Sequence, residues 1–281
     1  MNNIEQLQQI NLEMLHHFIC LCEKHHLTYY AVGGTLLGAV RHKGFIPWDD
    51  DLDVVMPRGD YEKFLMLPQE EFLPYRRRTI AFHEDGYQTY MVKIENPKVL
   101  LYREYYSRNG IEKRKIPAWI DIMPLDGAPG DSAELQRFSA GIKRQKQKIS
   151  FSLTDRCMGV SKRRSRKQRI LIRFALMTGV FRIWNPYKEY QKLEKMCKAY
   201  CYDTAPVLGN TYGVYGIREF VPREVFGEPD KLPFEDIVIS VPAHYQEYLS
   251  HVYGDYMVLP SEEERIGHSI FFVENNKEDL V

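Results

Sequence analysis

Four carboxylates crowd into five positions of the stretch 33-GGTLLGAVRHKGFIPWDDDLDVVMP-57, namely Asp49, Asp50, Asp51 and Asp53. Like charges so close repel, and the cluster costs stability unless something positive neutralises it. In an extended strand, residues two apart face the same side, so Asp51 and Asp53 project together across Leu52. Asp121, a single carboxylate among apolar neighbours in Trp119-Ile120-Asp121-Ile122-Met123, could complete the set from an adjacent strand. Three hard oxygen ligands at one end of a sheet suit Mg²⁺ or Mn²⁺, with water and substrate phosphates filling the shell. Upstream, Gly33-Gly34-Thr35 ends a β-prone run and opens a helix. Glycine permits close backbone approach, and the N–H groups at a helix start bind anions. A phosphate nest, a D-x-D strand and a third Asp describe metal-assisted phosphoryl or nucleotidyl transfer. The plainer alternative is a Ca²⁺ loop or an acidic surface turn, but such a turn would not run straight into Val54-Val55-Met56.

The phosphates need positive charge beyond metal ions. Arg41, His42 and Lys43 follow the helix that the glycines open. Lys93 sits between apolar residues in Met91-Val92-Lys93-Ile94, an uncommon place for a lysine without a partner. A phosphate contact is expected there, the alternative being an edge-strand lysine facing water.

These groups need elements to hold them. Leu7, Ile10, Met14, Leu15, Phe18, Leu21 and Cys22 share one helical face, which predicts a helix over 4–27. Tyr29–Val32 reads as a short strand, and Thr35 as the cap of a helix running to about His42. Leu52–Met56 reads as a strand stopped by Pro57, with Asp60 capping the helix that follows. Thr79–Phe82, Tyr87–Ile94 and Val99–Tyr102 read as strands, with Asn96-Pro97-Lys98 as a turn. Trp119–Met123 is another strand, closed by Pro124. Helical patterns then cover roughly 131–150, 164–183, 186–202 and 242–252. The order predicts an α+β fold, a small mixed sheet followed by a mostly helical second half.

The chain has 281 residues, 44% hydrophobic and 27% charged, enough for one large domain or two small ones. A formal net charge of zero gives no global field toward nucleic acid. The charge is uneven, however: residues 141–173 hold twelve Lys or Arg against one acid, Asp155. Within them Ser161–Arg169 (SKRRSRKQR) leads into the apolar runs 170–177 and 180–184. That pattern suits a helix lying in an anionic leaflet. It also suits a core helix with a solvated flank, whereas nucleic-acid binding would want interleaved aromatics or a known module. The five cysteines are odd in number and form no paired ladder, which predicts a reduced, cytosolic protein. Cys197 and Cys201 lack a CxxC or an accompanying His cluster, so no zinc site is expected. The N-terminal residues carry no basic and apolar leader pattern, and no run reaches the roughly 20 apolar residues of a spanning helix.

The run Gly33-Gly34-Thr35-Leu36-Leu37-Gly38-Ala39-Val40-Arg41-His42, followed by Pro47-Trp48-Asp49-Asp50-Asp51-Leu52-Asp53, closely resembles the LicD family of phosphorylcholine transferases, relatives of the fukutin-type enzymes. Ile120-Asp121-Ile122-Met123-Pro124-Leu125-Asp126 and Tyr248-Leu249…Tyr253-Gly254-Asp255-Tyr256-Met257…Pro260 extend the resemblance. It implies a nucleotidyltransferase-like core and transfer of a phospho-alcohol to a sugar hydroxyl. The donor would be CDP-choline or a similar CDP-alcohol. The acceptor would be a lipid-linked precursor of a cell-surface glycan, whether teichoic acid, capsule or lipopolysaccharide. Carried onto this chain, Asp51 and Asp53 bind metal, and Asp121 binds metal and could take the acceptor's proton. The ligand set stays open between 49/51/53 and 51/53/121. Alternation puts Asp49 beside Asp51 and Asp53 if the strand begins early, and leaves Asp50 a structural role. Gly33, Gly34, Thr35, Arg41, His42, Trp48 and Lys93 are expected to bind substrate, as are Arg265 and His268, at positions that are basic in the family. A quaternary ammonium would want an aromatic cage, for which Trp48, Trp119, Tyr212 and Tyr215 are candidates.

The division expected is a catalytic core over 1–130, a helical basic insertion over 131–235 and a segment over 236–281 that returns to the active site. The place expected is cytoplasmic, on the inner face of the membrane, with peripheral contact through 161–184. Two alternatives are a nucleotidylyltransferase acting on a small hydroxylated substrate, and a non-catalytic membrane-binding protein whose acidic cluster holds a structural cation.

Overall fold

The apolar stripe of the first segment folds as α1 (Asn3–Lys24), with Met14, Leu15 and Phe18 fully buried. The computed structural model describes residues 3–79, 91–107, 109–154, 165–265 and 271–272. After α1 the chain forms β1 (Tyr30–Ala31), α2 (Gly33–Arg41) and β2 (Asp53–Pro57), with β1 and β2 antiparallel. The helix begins at the glycines rather than after them, and its N-cap is Val32, in extended backbone with no side-chain bond. Gly33 has a φ of 59°, a conformation that residues with a Cβ avoid, and so strand becomes helix within one residue. Thr35 is therefore not the cap. It is buried in the first turn, and its hydroxyl accepts the Asp53 N–H at 2.8 Å.

β2 ends at Pro57 as expected, this residue pairing with Leu125, and α3 (Arg58–Met66) follows directly with Pro57 at its N-cap. Asp60 is not that cap either. Its carboxylate accepts the Thr28 N–H at 3.0 Å and the Lys63 ammonium at 2.8 Å.

The sheet continues with β3 (Arg76–Arg78), β4 (Val92–Ser107) and β5 (Gly110–Ala128). The strand expected over Thr79–Phe82, and the start of that over Tyr87–Ile94, fall largely on residues 80–90, outside the described residues. Asn96-Pro97-Lys98 is a bulge and not a turn, because pairing passes from Asn96↔Ala118 to Leu100↔Pro117 and continues along one strand. Proline tolerates such a place, since it has no N–H to give a ladder. Pro124 likewise fails to close β5. The β4 ladder ends at Ile122, and β6 (Val207–Asn210) joins from Leu125, so Pro124 falls in the gap between them.

The strand order is β1-β2-β5-β4, with β2 and β5 parallel. The inner half of β5, from Ala118 to Ala128, is buried at every position, as expected of a strand covered on both faces. A long β4–β5 ribbon extends beyond this core. There Leu101, Ile116, Ala118 and Trp119 pack with Leu7 of α1.

Asp131 caps α4 (Ser132–Ser152) by accepting the Glu134 N–H at 2.8 Å. It is followed by α5 (Arg166–Thr178) and α6 (Pro186–Cys197). The rest of the second half is less helical than expected. β6 and β7 (Phe220–Pro222) extend the main sheet, α7 (Arg223–Phe226) is one turn long, and β8 (Asp230–Phe234) pairs with β9 (Ile237–Val241). Strands of three to five residues are too short to leave an alternation in sequence. α8 (Tyr245–Tyr253) then packs on α7, and β10 (Phe271–Phe272) pairs with β4.

One buried ion network ties these parts together. Arg58 forks onto Asp126 (Nε–Oδ1 2.6 Å, Nη2–Oδ2 2.7 Å) and reaches Glu194 of α6 at 3.3 Å. Thr211 donates to the same Asp126 carboxylate at 2.7 Å.

Candidate active site

Asp53 opens β2, and Asp121 lies beside it in register on parallel β5. Lys93 of β4 is the register partner of Asp121 on the other side. Partners in register project to the same face, so one row across three strands presents two carboxylates and an ammonium. Lys93 Nζ donates to Asp121 Oδ1 at 2.5 Å, and Trp119 Nε1 donates to Oδ2 at 2.9 Å. Trp119 is two residues from Asp121 on the same strand, and the Lys93 ammonium lies 4.4 Å from its ring centroid. Lys93 is thus buried and ion-paired, not an edge lysine in water.

Asp49, Asp50 and Asp51 precede β2 in irregular backbone, so strand alternation does not sort them. Each offers an oxygen, and these oxygens lie within 4.8 Å of one another. α1 fastens the segment: Gln8 Nε2 donates to the carbonyls of Ile46 (3.1 Å) and Asp49 (2.8 Å), and Asn11 Nδ2 to that of Asp50 (3.2 Å). Asp50 is buried and is not in the cavity lining, whereas Asp49, Asp51, Asp53 and Asp121 line it. Burial first, then the charges of Asp51, Asp121 and Asp49, push the Asp53 carboxyl well above the usual carboxylate range, with Lys93 opposing. A crowded, anionic, all-oxygen set of this kind fits a hard divalent cation.

The glycine pair is pressed against these carboxylates. A Cβ on Gly34 would lie 2.2 Å from Asp49 Oδ2, and one on Gly33 would lie 3.1 Å from Asp53 Oδ2. The start of α2 and the acidic cluster therefore share one cavity of about 1170 Å³, which Gly33 and Gly34 line. Small-ligand pockets commonly hold about 300–1,000 Å³, so there is room for two substrates at once.

The remaining expected residues divide. Arg41 lines the cavity, but its Nη1 donates to the Tyr256 carbonyl at 2.9 Å, anchoring the segment after α8. Trp48 lines it too, with the Arg265 guanidinium 5.2 Å from its ring centroid. Thr35 and His42 are not in the lining. His42 stands edge-on to Trp48 at 6.2 Å, and burial, then Arg41, hold its imidazole below the ordinary value. His268 lies outside the described residues. Of the four cage candidates, all line the cavity. They do not form one open box: Lys93 covers Trp119, Arg218 stands 5.3 Å from the Tyr215 centroid, and the Tyr212 hydroxyl donates to Glu194 at 2.5 Å.

Sequence reasoning missed Arg103 and Tyr105 of β4, Glu219, and the inward roles of Tyr248 and Tyr253, all of which line the cavity. Tyr248 donates to Glu219 at 3.4 Å, and burial, then the charges of Glu219 and Asp53, push its hydroxyl well up. Tyr248 and Tyr253 lie in the C-terminal segment already singled out, five apart on what reads as a helix. Glu219 left no signal, since nothing near it in sequence marks a buried acid.

The sequence profile described as "LicD/FKTN/FKRP, nucleotidyltransferase domain" matches residues 26–122, which include Asp49, Asp51, Asp53 and Asp121. The Lipopolysaccharide cholinephosphotransferase LicD of Haemophilus influenzae is 30% identical over 271 residues, 95% of this chain and 96% of that protein. The likeness therefore extends well beyond the profile. Uncharacterised proteins of Rickettsia prowazekii and Rickettsia typhi are 48% identical over 56 residues and 49% over 57, about a fifth of this chain in each case.

Proposed function

Because the chain belongs to the LicD family, we propose that it is a transferase that moves phosphocholine, or a similar phospho-alcohol, from a CDP-activated donor to a sugar hydroxyl of a cell-surface glycan precursor. The observation that carries this reading is the row Asp53–Asp121–Lys93, set at the floor of a two-substrate cavity against the start of α2. The full-length likeness to a lipopolysaccharide cholinephosphotransferase supports both the enzyme class and the transferred group.

Asp49, Asp51 and Asp53, with Asp121, are the residues that would hold Mg²⁺ or Mn²⁺, and the bound cation would supply charge neutralisation at the donor phosphates. The chain's own residues do the rest. The N–H groups that open α2 at Gly33-Gly34 orient a phosphate oxygen. Asp121, aimed by Lys93 and Trp119, accepts the proton of the acceptor hydroxyl. The sugar oxygen bonds to the distal phosphorus, the bridging P–O bond breaks, and CMP leaves. Trp48, Tyr215, Tyr253 and Tyr256 give the cavity aromatic walls suited to a quaternary ammonium.

The test is CMP release from CDP-choline in the presence of Mg²⁺ and a sugar acceptor. Asp51→Asn abolishes release while the protein stays folded, and full activity in that variant would sink the proposal. CMP found attached to the acceptor instead of released would establish nucleotidylyl transfer.

A further inference from the structure

We infer that the outward face of α5 docks on a bilayer surface rich in anionic headgroups. The inward face is spoken for: Ile172, Ala175 and Leu176 bury against Tyr106 of β4 and Phe181. The opposite side is apolar and bare, with Ile170 66%, Leu171 65%, Phe174 60% and Met177 80% exposed. Ile170, Phe174 and Met177 keep the i, i+4, i+7 spacing of one helical stripe, and Ile183 just beyond is also exposed. Large apolar residues gathered in one exposed stripe mark an interaction surface.

The charge around the stripe selects the occupant. Arg166, Lys167, Arg169, Arg173 and Arg182 are all exposed around it, and residues 156–188 contain no Asp or Glu. An apolar stripe with long cationic side chains beside it lies in the interfacial plane, its stems in the acyl boundary and its charges among anionic headgroups. A second copy of this chain, meeting the stripe across a two-fold axis, would set the same cations face to face. Nucleic acid would engage the cations and leave Phe174 and Met177 in water. Among the described residues no helix is long and apolar enough to cross a membrane.

The placement has a use. Side chains alternate along β4, so Tyr106 faces α5 while Arg103 and Tyr105 line the cavity. A docked α5 holds the ribbon against the bilayer and brings the cavity beside it, where a lipid-anchored acceptor presents its sugar. The docking itself rests on the surface of α5 and not on the catalytic reading.

Flotation of the full chain with phosphatidylcholine vesicles, with and without phosphatidylglycerol, tests it. Binding is expected to the mixed vesicles and not to the neutral ones. The pairs Phe174→Glu with Met177→Glu, and Arg166→Glu with Arg173→Glu, should each weaken it by about tenfold or more. All four positions are exposed, so the melting temperature of each variant is expected to match that of the parent. Transfer to a soluble sugar acceptor should be unchanged in both, which separates failure of docking from failure of the catalytic proposal. Failure of the parent chain to bind anionic vesicles would overturn the inference, as would variants that bind like the parent. So would a parent dimer that the Phe174→Glu/Met177→Glu pair splits, or cationic-face binding to an oligonucleotide with none to vesicles.

Discussion

Asp53 shares its surroundings with Asp49, Asp51 and Asp121, whose charges Lys93 opposes. Replacing one carboxylate by an amide of the same shape removes repulsion and burial cost together. Asp53→Asn, measured without divalent cation, should therefore melt at or above the temperature of the parent. Its transfer rate should fall by about a thousandfold or more, the scale of several kcal/mol of lost phosphate neutralisation. A clear drop in melting temperature would mean that Asp53 is stabilising in the cation-free fold. Trp119 poses a different question, since its N–H holds Asp121 while its ring carries Lys93. Trp119→Phe keeps an aromatic ring, though a smaller one, and deletes the N–H. Its kcat should fall by about tenfold to a hundredfold, with the donor KM little changed, because only the aim of Asp121 is lost. A loss seen in KM alone would assign Trp119 to donor binding.

The strands and helices owe their mutual placement to a few buried polar links. Burial pushes the Asp126 carboxyl up, and hydrogen bonds and charge from Arg58, with the Thr211 hydroxyl, oppose that. Arg58→Met leaves this carboxylate buried and short of its main partner, at a cost of about 3–5 kcal/mol. The carboxyl then rises further above its unfolded value. Its penalty is full where both states are ionised, and it disappears as pH falls through the folded value toward the unfolded one. Urea unfolding should thus show a deficit at pH 7 that shrinks toward pH 4. A deficit independent of pH would point to lost packing instead. The prolines belong to the same scale. Pro57 ends β2 as it reads from sequence, but Pro97 and Pro124 do not end β4 and β5. Pro97 falls in the bulge of β4 and Pro124 between the β4 and β6 ladders of β5, which local chemistry alone does not announce.

At the scale of the molecule, the cavity draws on the start of α2, on β2, β4 and β5, on α4 and on the segment after α8. Ligands that need all of these walls should stabilise the whole fold. CDP-choline and Mg²⁺ together should raise the melting temperature, by about 2.7 kcal/mol of stabilisation at a hundredfold excess over Kd. EDTA should remove most of the shift. If CDP-glycerol, CDP-ribitol or CDP-ethanolamine stabilises and CDP-choline does not, the transferred alcohol is reassigned while the metal chemistry stands.

Much of this was legible in the chain itself. The stripe from Leu7 to Cys22 dictated α1, because a 3.6-residue period needs only neighbours in sequence. That the glycine pair and the carboxylates of Asp49 to Asp53 come together was legible for the same reason: they lie within 21 residues of one another. Tertiary structure decided the rest. Lys93 meets Asp121 across 28 residues through the register of β4 on β5. Glu219 meets the Tyr248 hydroxyl across 29 residues, through the packing of α8. The apolar residues of α5 were visible as a group, but which of them face Tyr106 and which face outward depended on where the ribbon lies. Local periods and charges are written along the chain. Partners brought together by strand register and packing exist only once it has folded.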